Sequence, residues 1–122
     1  MSQILIVDDQ PVIRRLLSIT LGKDYEILEA EDGLGALEAV RRHHPAAVFL
    51  DVMMPGALDG LQVLDAIKSD PLTRDILVAM VTARGQGADS DEARQRGADA
   101  YFTKPFSPAQ VLSWVRSKLP PV

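Results

Sequence analysis

Short apolar runs alternate with helical patterns of hydrophobic residues along the whole chain. The runs are continuous and rich in Ile, Val, Leu and Phe, which is typical of strands buried on both faces of a parallel sheet. They predict five strands, at residues 3–7, 25–29, 46–50, 76–81 and 100–103. The second run alternates apolar and charged residues, which also fits a strand at the edge of the sheet.

Five helices are predicted in the segments that follow the strands. Four of them carry apolar residues at the i, i+3, i+4 spacing of one helix face. These faces are Ile13-Leu16-Leu17-Thr20-Leu21, Leu34-Leu37-Val40, Gly60-Val63-Leu64-Ile67 and Val111-Leu112-Val115-Leu119. The remaining segment, residues 88–96, has helix-forming residues but almost no apolar stripe. We therefore expect an exposed helix there, with few buried contacts.

Strict alternation of strands and helices predicts one α/β domain with right-handed crossovers, spanning residues 1–122. A chain of 122 residues is long enough for one core. Ser107-Pro108 forms a good N-cap and first position for the last helix, and Pro120-Pro121 ends it. These last prolines also fit a hinge to a further segment, so the chain is either the whole protein or the N-terminal part of a longer one.

Composition excludes several classes of function. The chain has no cysteine, which excludes disulfides, thiolate nucleophiles and zinc–thiolate sites. Its formal net charge is −4 and its pI is about 5.0, which argues against direct binding of nucleic acid through a broad basic face. No apolar run approaches the ~20 residues that span a membrane. We expect a cytoplasmic protein without a membrane partner.

Polar residues follow the strands at the points where they end. Asp8 and Asp9 follow the first strand, Asp51 the third, Thr82 the fourth and Lys104 the fifth. In open α/β sheets, ligands bind beyond the carboxyl ends of the strands. We assume the strand order 2-1-3-4-5, which is a common order in doubly-wound α/β folds and is not read from these residues. In that order the first and third strands are neighbours, so the three carboxylates should converge.

Three clustered carboxylates repel one another unless a cation or a proton compensates them. Mg²⁺ takes hard oxygen ligands, keeps several waters and also holds phosphate oxygens. Two acids could then hold the metal while the third attacks a phosphoryl group and forms an aspartyl phosphate. A lysine and a threonine hydroxyl would interact with the phosphoryl oxygens.

Each of these residues also fits a structural role. Asp9, before Gln10-Pro11, fits a helix N-cap. Asp51 and Asp59 fit turn positions, and Thr82 fits the last residue of a strand. Lys104 alone fits a solvated surface lysine.

Two further features have structural interpretations. His43-His44 lies at a predicted helix end before Pro45, where basic residues compensate the helix dipole, rather than at a phosphohistidine or metal site. Trp114 lies off the apolar stripe of the last helix. It fits either a partner contact or packing under a loop.

Four segments carry a resemblance to a known family. They are ILIVDDQP at the first strand, AVFLDVMMPG at the third, VTA at the end of the fourth and GADAYFTKPF at the fifth. In this order and spacing the chain resembles the receiver domain of two-component response regulators from residue 4 to about residue 119, and is similar to chemotaxis-type single-domain regulators. The resemblance implies a flavodoxin-like (βα)5 fold, with a five-stranded parallel sheet and helices on both faces. It also implies a phosphorylation-operated signalling switch rather than a metabolic enzyme.

The resemblance implies a role for each residue of the site. Asp51 is the phosphoacceptor, and Asp8 and Asp9 hold Mg²⁺ (or Mn²⁺) together with Asp51 and the backbone carbonyl of Met53. Lys104 pairs with the phosphoryl group, and its bond to Pro105 is cis.

The resemblance also implies how the signal leaves the site. Thr82 and Tyr101 are the switch residues, which repack the face made by the fourth helix, fifth strand and fifth helix. The partners are a sensor histidine kinase or phosphotransfer protein and an output protein or domain, and the same face is a candidate for a homodimer.

The resemblance further implies that Met53 and Arg84 tune the lifetime of the phosphorylated form. The stretch MMPGALDG has one residue more than the usual loop, which affects access to the site.

Two other classes of function are compatible with this fold. An FMN electron carrier is disfavoured, because DDQP replaces a hydroxyl-rich phosphate loop and the chain has one Trp, two Tyr and three Phe in all. A receiver-like scaffold that binds partners without phosphorylation remains the alternative.

Overall fold

A five-stranded parallel sheet forms the centre of the molecule in a computed structural model, which describes residues 1–54, 56–83 and 90–121. The strands are β1 (Gln3–Val7), β2 (Glu26–Ala30), β3 (Ala47–Asp51), β4 (Leu77–Ala83) and β5 (Ala100–Lys104). The helices are α1 (Pro11–Leu21), α2 (Gly33–His43), α3 (Gly60–Ser69), α4 (Ser90–Gln95) and α5 (Pro108–Lys118). Strands and helices alternate as the hydrophobic pattern predicts.

The strand order is β2-β1-β3-β4-β5, and all four pairings are parallel. The predicted order is therefore confirmed, and β2 lies at an edge. β1 and β3 are adjacent in the sheet, with Val7 opposite Leu50. β3 is in turn adjacent to β4, with Asp51 opposite Val81. This register brings the ends of β1, β3 and β4 to the same edge of the sheet.

The sheet separates two apolar layers. Leu5, Val48 and Met80 face the layer that includes α2, α3 and α4. Ile4, Phe49 and Val81 face the layer that includes α1 and α5. Neighbouring residues of each strand thus enter opposite layers, because side chains alternate along a strand. The central strands are buried on both faces, as their continuous apolar sequences predict.

Two predicted helix faces differ from those observed. Leu16 is 39% exposed and Leu34 is 61% exposed, although the spacing placed both toward the core. In α2 the buried positions are Gly33, Ala36 and Val40. A Cβ atom on Gly33 would lie 2.7 Å from the Leu58 carbonyl oxygen, so small residues, rather than Leu34, bring α2 close to its neighbours.

α4 is a short helix, in agreement with the predicted exposed segment. Its six described residues bury one side chain, Ala93. Arg96, just beyond its end, reaches Asp65 of α3 at 3.3 Å and Glu92 at 3.4 Å. Such exposed ion pairs contribute little stability, so α4 is held weakly. The predicted start at Ala88 lies outside the described residues.

Trp114 is partly buried and packs against the layer of α1 and α5. Its ring lies edge-on to Phe49 of β3 at a centroid distance of 6.0 Å, and 6.2 Å from Phe102 of β5. The packing under a loop considered for Trp114 is therefore wrong, because its ring lies against residues of two strands. The partner contact stays a prediction, since the residue is only partly buried. The ring was misplaced because the apolar face of α5 is wider than the stripe read from the sequence.

The ends of α2 and α5 lie where the sequence predicts them. His43 is the last residue of α2, and His44 is its C-cap with φ 47°, as expected for basic residues at a helix end. Ser107 caps α5, which ends at Lys118 before Pro120-Pro121. Among the described helices, none has the length and apolar character to cross a bilayer.

α3 begins directly against the end of β3. Gly60 donates a backbone hydrogen bond to the Val52 carbonyl at 2.9 Å. A Cβ atom at Gly60 would lie 1.9 Å from the Asp51 carbonyl oxygen and 2.7 Å from Val52 Cα. Both contacts are with backbone, so they cannot be relieved by a side-chain rotation. The absence of a side chain at Gly60 sets how closely α3 approaches Asp51.

We therefore predict that Gly60→Ala lowers the free energy of unfolding by at least about 2 kcal/mol, as expected for an overpacked site. Gly35→Ala is the matched control, because its Cβ would meet only the Asp32 side chain at 3.0 Å and the Ala30 side chain at 3.7 Å. Urea unfolding of both variants measures the difference. Equal stability of the two variants would contradict the close contact at Gly60.

Candidate functional site

The turn after β1 directs Asp8 into the protein. Asp8 is 2% exposed, and its backbone N–H donates to the Ala30 carbonyl of β2 at 3.2 Å. Its Oδ1 accepts a hydrogen bond from the backbone of Gln10 at 2.9 Å, which closes the turn into α1. Gln10, not Asp9, occupies the N-cap position of α1. The N-cap role considered for Asp9 is therefore wrong, and its carboxylate is exposed at the edge of the sheet.

Asp51 is the last residue of β3 and is 5% exposed. Its Oδ1 accepts a hydrogen bond from the backbone of Met53 at 3.4 Å. One carboxylate oxygen from each of Asp8, Asp9 and Asp51 lies within 4.8 Å of the other two. The predicted convergence of three carboxylates is thus present.

Lys104 reaches this cluster from the end of β5. Its Nζ lies 2.8 Å from Asp8 Oδ2 and 3.5 Å from Asp51 Oδ2. It also donates to the Gln10 side-chain oxygen at 3.3 Å. The lysine side chain is 13% exposed, so it is not a solvated surface lysine. The Lys104–Pro105 peptide bond is cis, as the resemblance implies.

The other predicted residues lie around the cluster. Thr82 is 1% exposed on β4, one position beyond the partner of Asp51, and its hydroxyl contacts the Ala83 carbonyl at 3.5 Å. Tyr101 of β5 is partly buried against the layer of α2, α3 and α4. Met53 is 53% exposed. Arg84 lies outside the described residues.

The loop after β3 ends in a strong helix cap. Asp59 is the N-cap of α3, where its carboxylate accepts from the Gln62 backbone while the Gln62 side chain accepts from the Asp59 backbone. This capping box replaces the turn role considered for Asp59. Pro55, in the stretch with the extra residue, lies outside the described residues.

Sequence reasoning missed two contributors to the site, Gln10 and Arg14. Arg14 Nη1 donates to the Asp8 carbonyl at 2.7 Å, and its Nε lies 3.3 Å from Glu29 Oε1. A signal for Arg14 was present, because it precedes the buried Leu17 and Leu21 by three and seven residues. A charged residue on the inward face of a helix needs a polar partner.

The electrostatics of the cluster are dominated by the burial of Asp51. The pKa of the Asp51 carboxyl is raised to about 6, mainly by burial and also by the negative charge of Asp8. Lys104 and the Met53 backbone hydrogen bond oppose this rise. The ammonium therefore compensates the crowding of carboxylates only in part.

This shift predicts how stability depends on pH when no divalent cation is present. The folded state binds a proton on Asp51 more tightly than the unfolded state does, because the ordinary pKa of the Asp51 carboxyl is 3.8. The resulting stabilisation is complete below about pH 4 and is lost as pH rises through about 6, an effect of up to about 3 kcal/mol. We expect Asp51→Asn to raise the free energy of unfolding by roughly 1–3 kcal/mol at neutral pH, and by less at about pH 4.

Urea unfolding in a chelator at both pH values measures this difference. Asp59→Asn is the matched control, because it removes a carboxylate from the same loop while Asn also caps helices well. A gain from Asp51→Asn that is equal at both pH values would contradict the burial of a strained carboxylate.

Comparisons with known proteins agree with this geometry. Residues 4–116 match the family described as the response regulator receiver domain. The phosphate regulon transcriptional regulatory protein PhoB of Escherichia coli strain K12 is 36% identical over 116 residues, which are 94% of this chain and 50% of that protein. The probable transcriptional regulator ycf27 of Cyanophora paradoxa is 42% identical over 118 residues, 96% of this chain and 48% of that protein. The chain thus spans about half the length of these curated relatives.

Solved structures show the same fold. The receiver domain of NtrX from Brucella abortus is 35% identical, with a TM-score of 0.84 and coverage of 94% of this chain and 95% of that one. The chemotaxis response regulator CheY4 of Vibrio cholerae is 28% identical, with a TM-score of 0.86 and coverage of 98% and 99%. Together with the family match over residues 4–116, these similarities show that the chain belongs to the receiver domain family of two-component response regulators.

Proposed function

We propose that this receiver domain is a phosphorylation-operated switch that accepts a phosphoryl group onto Asp51 from a phosphohistidine of a partner protein. The observation that carries the proposal is the position of Lys104. Its ammonium lies 2.8 Å from Asp8 and 3.5 Å from Asp51, within a cluster of three carboxylates at the carboxyl edge of the sheet. One ammonium thus contacts two buried acids at the ends of two neighbouring strands.

The proposed chemistry assigns a task to each residue. An Asp51 carboxylate oxygen attacks phosphorus, and the bond from phosphorus to the donor breaks with its electron pair going to the donor. Lys104 moves from Asp51 to a phosphoryl oxygen and stays close to Asp8. Thr82, at the end of the neighbouring strand, donates a hydrogen bond to another phosphoryl oxygen. The domain thus promotes its own phosphorylation and dephosphorylation without being a metabolic enzyme.

The residues present fit a divalent metal. Carboxylate oxygens that can all be reached from one point are the donors that Mg²⁺ prefers, and Mn²⁺ accepts the same set. Three carboxylates face one ammonium, which leaves negative charge that Lys104 does not compensate. Asp8, Asp9, Asp51 and the Met53 backbone carbonyl would hold the ion. When bound, it would neutralise charge on the phosphoryl oxygens.

The proposed output is a rearrangement of the face made by α4, β5 and α5. Thr82 and Tyr101 connect the site to this face. α4 buries a single described side chain, so moving it disrupts few apolar contacts. Low local stability is common in elements that move during signalling.

The proposed partners follow from the family. A sensor histidine kinase or phosphotransfer protein supplies the phosphoryl group in the cytoplasm, and an output protein or domain receives the signal. PhoB is a transcriptional regulatory protein, and this chain matches 50% of it. We assign DNA binding, if the full protein has that activity, to a separate output domain. A homodimer through the face of α4, β5 and α5 belongs to the same proposal.

The proposal predicts Mg²⁺-dependent phosphorylation by acetyl phosphate, measured as a gain of one phosphoryl mass on the intact protein. The gain should disappear in Asp51→Asn and in a chelator. Asp59→Asn should be phosphorylated like the native protein, because its side chain caps α3 outside the cluster. No gain in a folded native protein would contradict the switch and favour a scaffold that binds partners without phosphorylation.

Met53 predicts a second property, the lifetime of the phosphorylated form. The side chain is apolar, half-exposed and two residues beyond Asp51, so it should hinder the approach of water to the phosphoryl group. Met53→Asn should shorten the lifetime several-fold, measured by intact mass after removal of acetyl phosphate. Leu72→Asn makes the same type of change at an exposed residue before β4, at the opposite edge of the sheet. It should leave the decay unchanged, and an unchanged decay in Met53→Asn would refute this role.

A further inference from the structure

We propose that Arg14 is a positioning residue for the acidic site, and that it orients Asp9 by holding the peptide group between Asp8 and Asp9. This inference rests on the proposed function, because it concerns how the site binds its divalent cation. Arg14 lies in the first half of α1, and in the described residues it forms no ion pair with the carboxylate of Asp8 or of Asp9. Instead its Nη1 donates to the Asp8 backbone carbonyl at 2.7 Å.

The contact constrains both acids because a peptide group is planar. The Asp8 carbonyl and the Asp9 N–H belong to the same rigid unit, which also contains both Cα atoms. Fixing the direction of the carbonyl therefore fixes the orientation of the unit that carries both Cα atoms, which limits the directions that the two side chains can take. A hydrogen bond from a charged donor is stronger than one between neutral groups, so this restraint is a firm one.

Asp9 depends on this restraint more than the other two acids. Asp8 is held by Lys104 and by the Gln10 backbone, and Asp51 by Lys104 and the Met53 backbone. Within the part of the chain that the structure describes, the Asp9 side chain makes no hydrogen bond or ion pair. The placement of its carboxylate therefore depends on the position of its backbone. Arg14 restrains that backbone in addition to the hydrogen bond between Asp8 Oδ1 and the Gln10 backbone.

Glu29 completes the arrangement from the edge strand β2. Its Oε1 lies 3.3 Å from Arg14 Nε. One guanidinium therefore links strand β2 with the turn that follows β1. The Arg14 side chain is 17% exposed, which leaves it little freedom to take another direction. A lysine has one charged nitrogen on a flexible stem and cannot reproduce two contacts made from different nitrogens of one planar group.

Positioning and simple electrostatics predict opposite results at this residue. If Arg14 acted only through its charge, it would repel a cation, and removing it would strengthen Mg²⁺ binding. Arg14→Lys, which keeps the charge, would then change nothing. If Arg14 positions Asp9, both Arg14→Met and Arg14→Lys should weaken binding. Residues that orient metal ligands typically contribute about tenfold or more to metal affinity.

The experiment is calorimetric titration of the protein with Mg²⁺ alone, for the native chain and for Arg14→Lys, Arg14→Met and Arg15→Met. Arg15 is the matched control, because it is the adjacent, exposed arginine on the same helix. We expect about tenfold weaker binding in both Arg14 variants, as for other residues that orient ligands, and native affinity or slightly tighter binding in Arg15→Met. Arg14→Lys keeps the charge and the alkyl chain and should remain folded, so it decides the question if Arg14→Met unfolds.

Phosphorylation by acetyl phosphate gives the second measurement. If Arg14 acts through the metal site, its variants should need more Mg²⁺ for half-maximal rate but reach the native rate at saturation. Native affinity in Arg14→Lys would overturn the positioning role while leaving the switch intact. A native protein that binds Mg²⁺ but is not phosphorylated would refute the proposed function, and the affinities would still decide the role of Arg14.

Discussion

The crowding of three carboxylates at one edge of the sheet is the constraint on which the site depends. Asp8 and Asp51 are almost fully buried, and each has an oxygen within 4.8 Å of the others and of Asp9. Such an arrangement is unfavourable without compensation. Burial is the main cause of the raised pKa of Asp51, and the nearby charge of Asp8 raises that pKa as well. Three carboxylates against one ammonium leave two uncompensated negative charges. That is the charge of one divalent cation, so the geometry and the charge balance favour the same ligand.

The fold maintains this unfavourable cluster with contacts that lie outside it. The apolar strands β1 and β3 are buried on both faces, and their pairing fixes the separation of Asp8 and Asp51. Gly60 lets α3 pack directly on the backbone of Asp51, which leaves the end of β3 little room to move away. Stability gained in the two apolar layers thus offsets the electrostatic strain at the edge. Strain of this kind persists only where the surrounding structure fixes the residues that carry it.

Much of this arrangement could be predicted from the sequence, because each strand is a continuous apolar run that ends in a polar residue. The five strands follow from that pattern and are confirmed. Their order was assumed as typical of this class of fold, and the convergence of Asp8, Asp9 and Asp51 followed from that order; the structure confirms both. The buried face of each helix is harder to predict from the sequence, since one apolar stripe does not show which of its residues touches the sheet. Leu34 is exposed because the smaller Gly33 and Ala36 make the close contact of α2. Trp114 was misplaced because its partners, Phe49 and Phe102, come from distant strands. The contact of Arg14 with the Asp8 carbonyl depends on the geometry of the turn after β1, so the sequence indicates only that Arg14 needs a polar partner. The contact of Gln10 with Lys104 joins residues that are far apart in sequence.

Two cationic side chains, Lys104 and Arg14, lie at the acidic cluster and contact it in different ways. Lys104 contacts the carboxylates themselves, so its position must change when a phosphoryl group is added to Asp51 under the proposed function. Arg14 contacts the backbone and is paired with Glu29, so its charge is already balanced and it has no reason to move. One cation is therefore suited to respond to the state of Asp51, and the other to keep the turn after β1 constant in both states. Under the proposed function, Lys104 would respond to the charge state of Asp51 while Arg14 holds the turn that carries Asp8 and Asp9 in place.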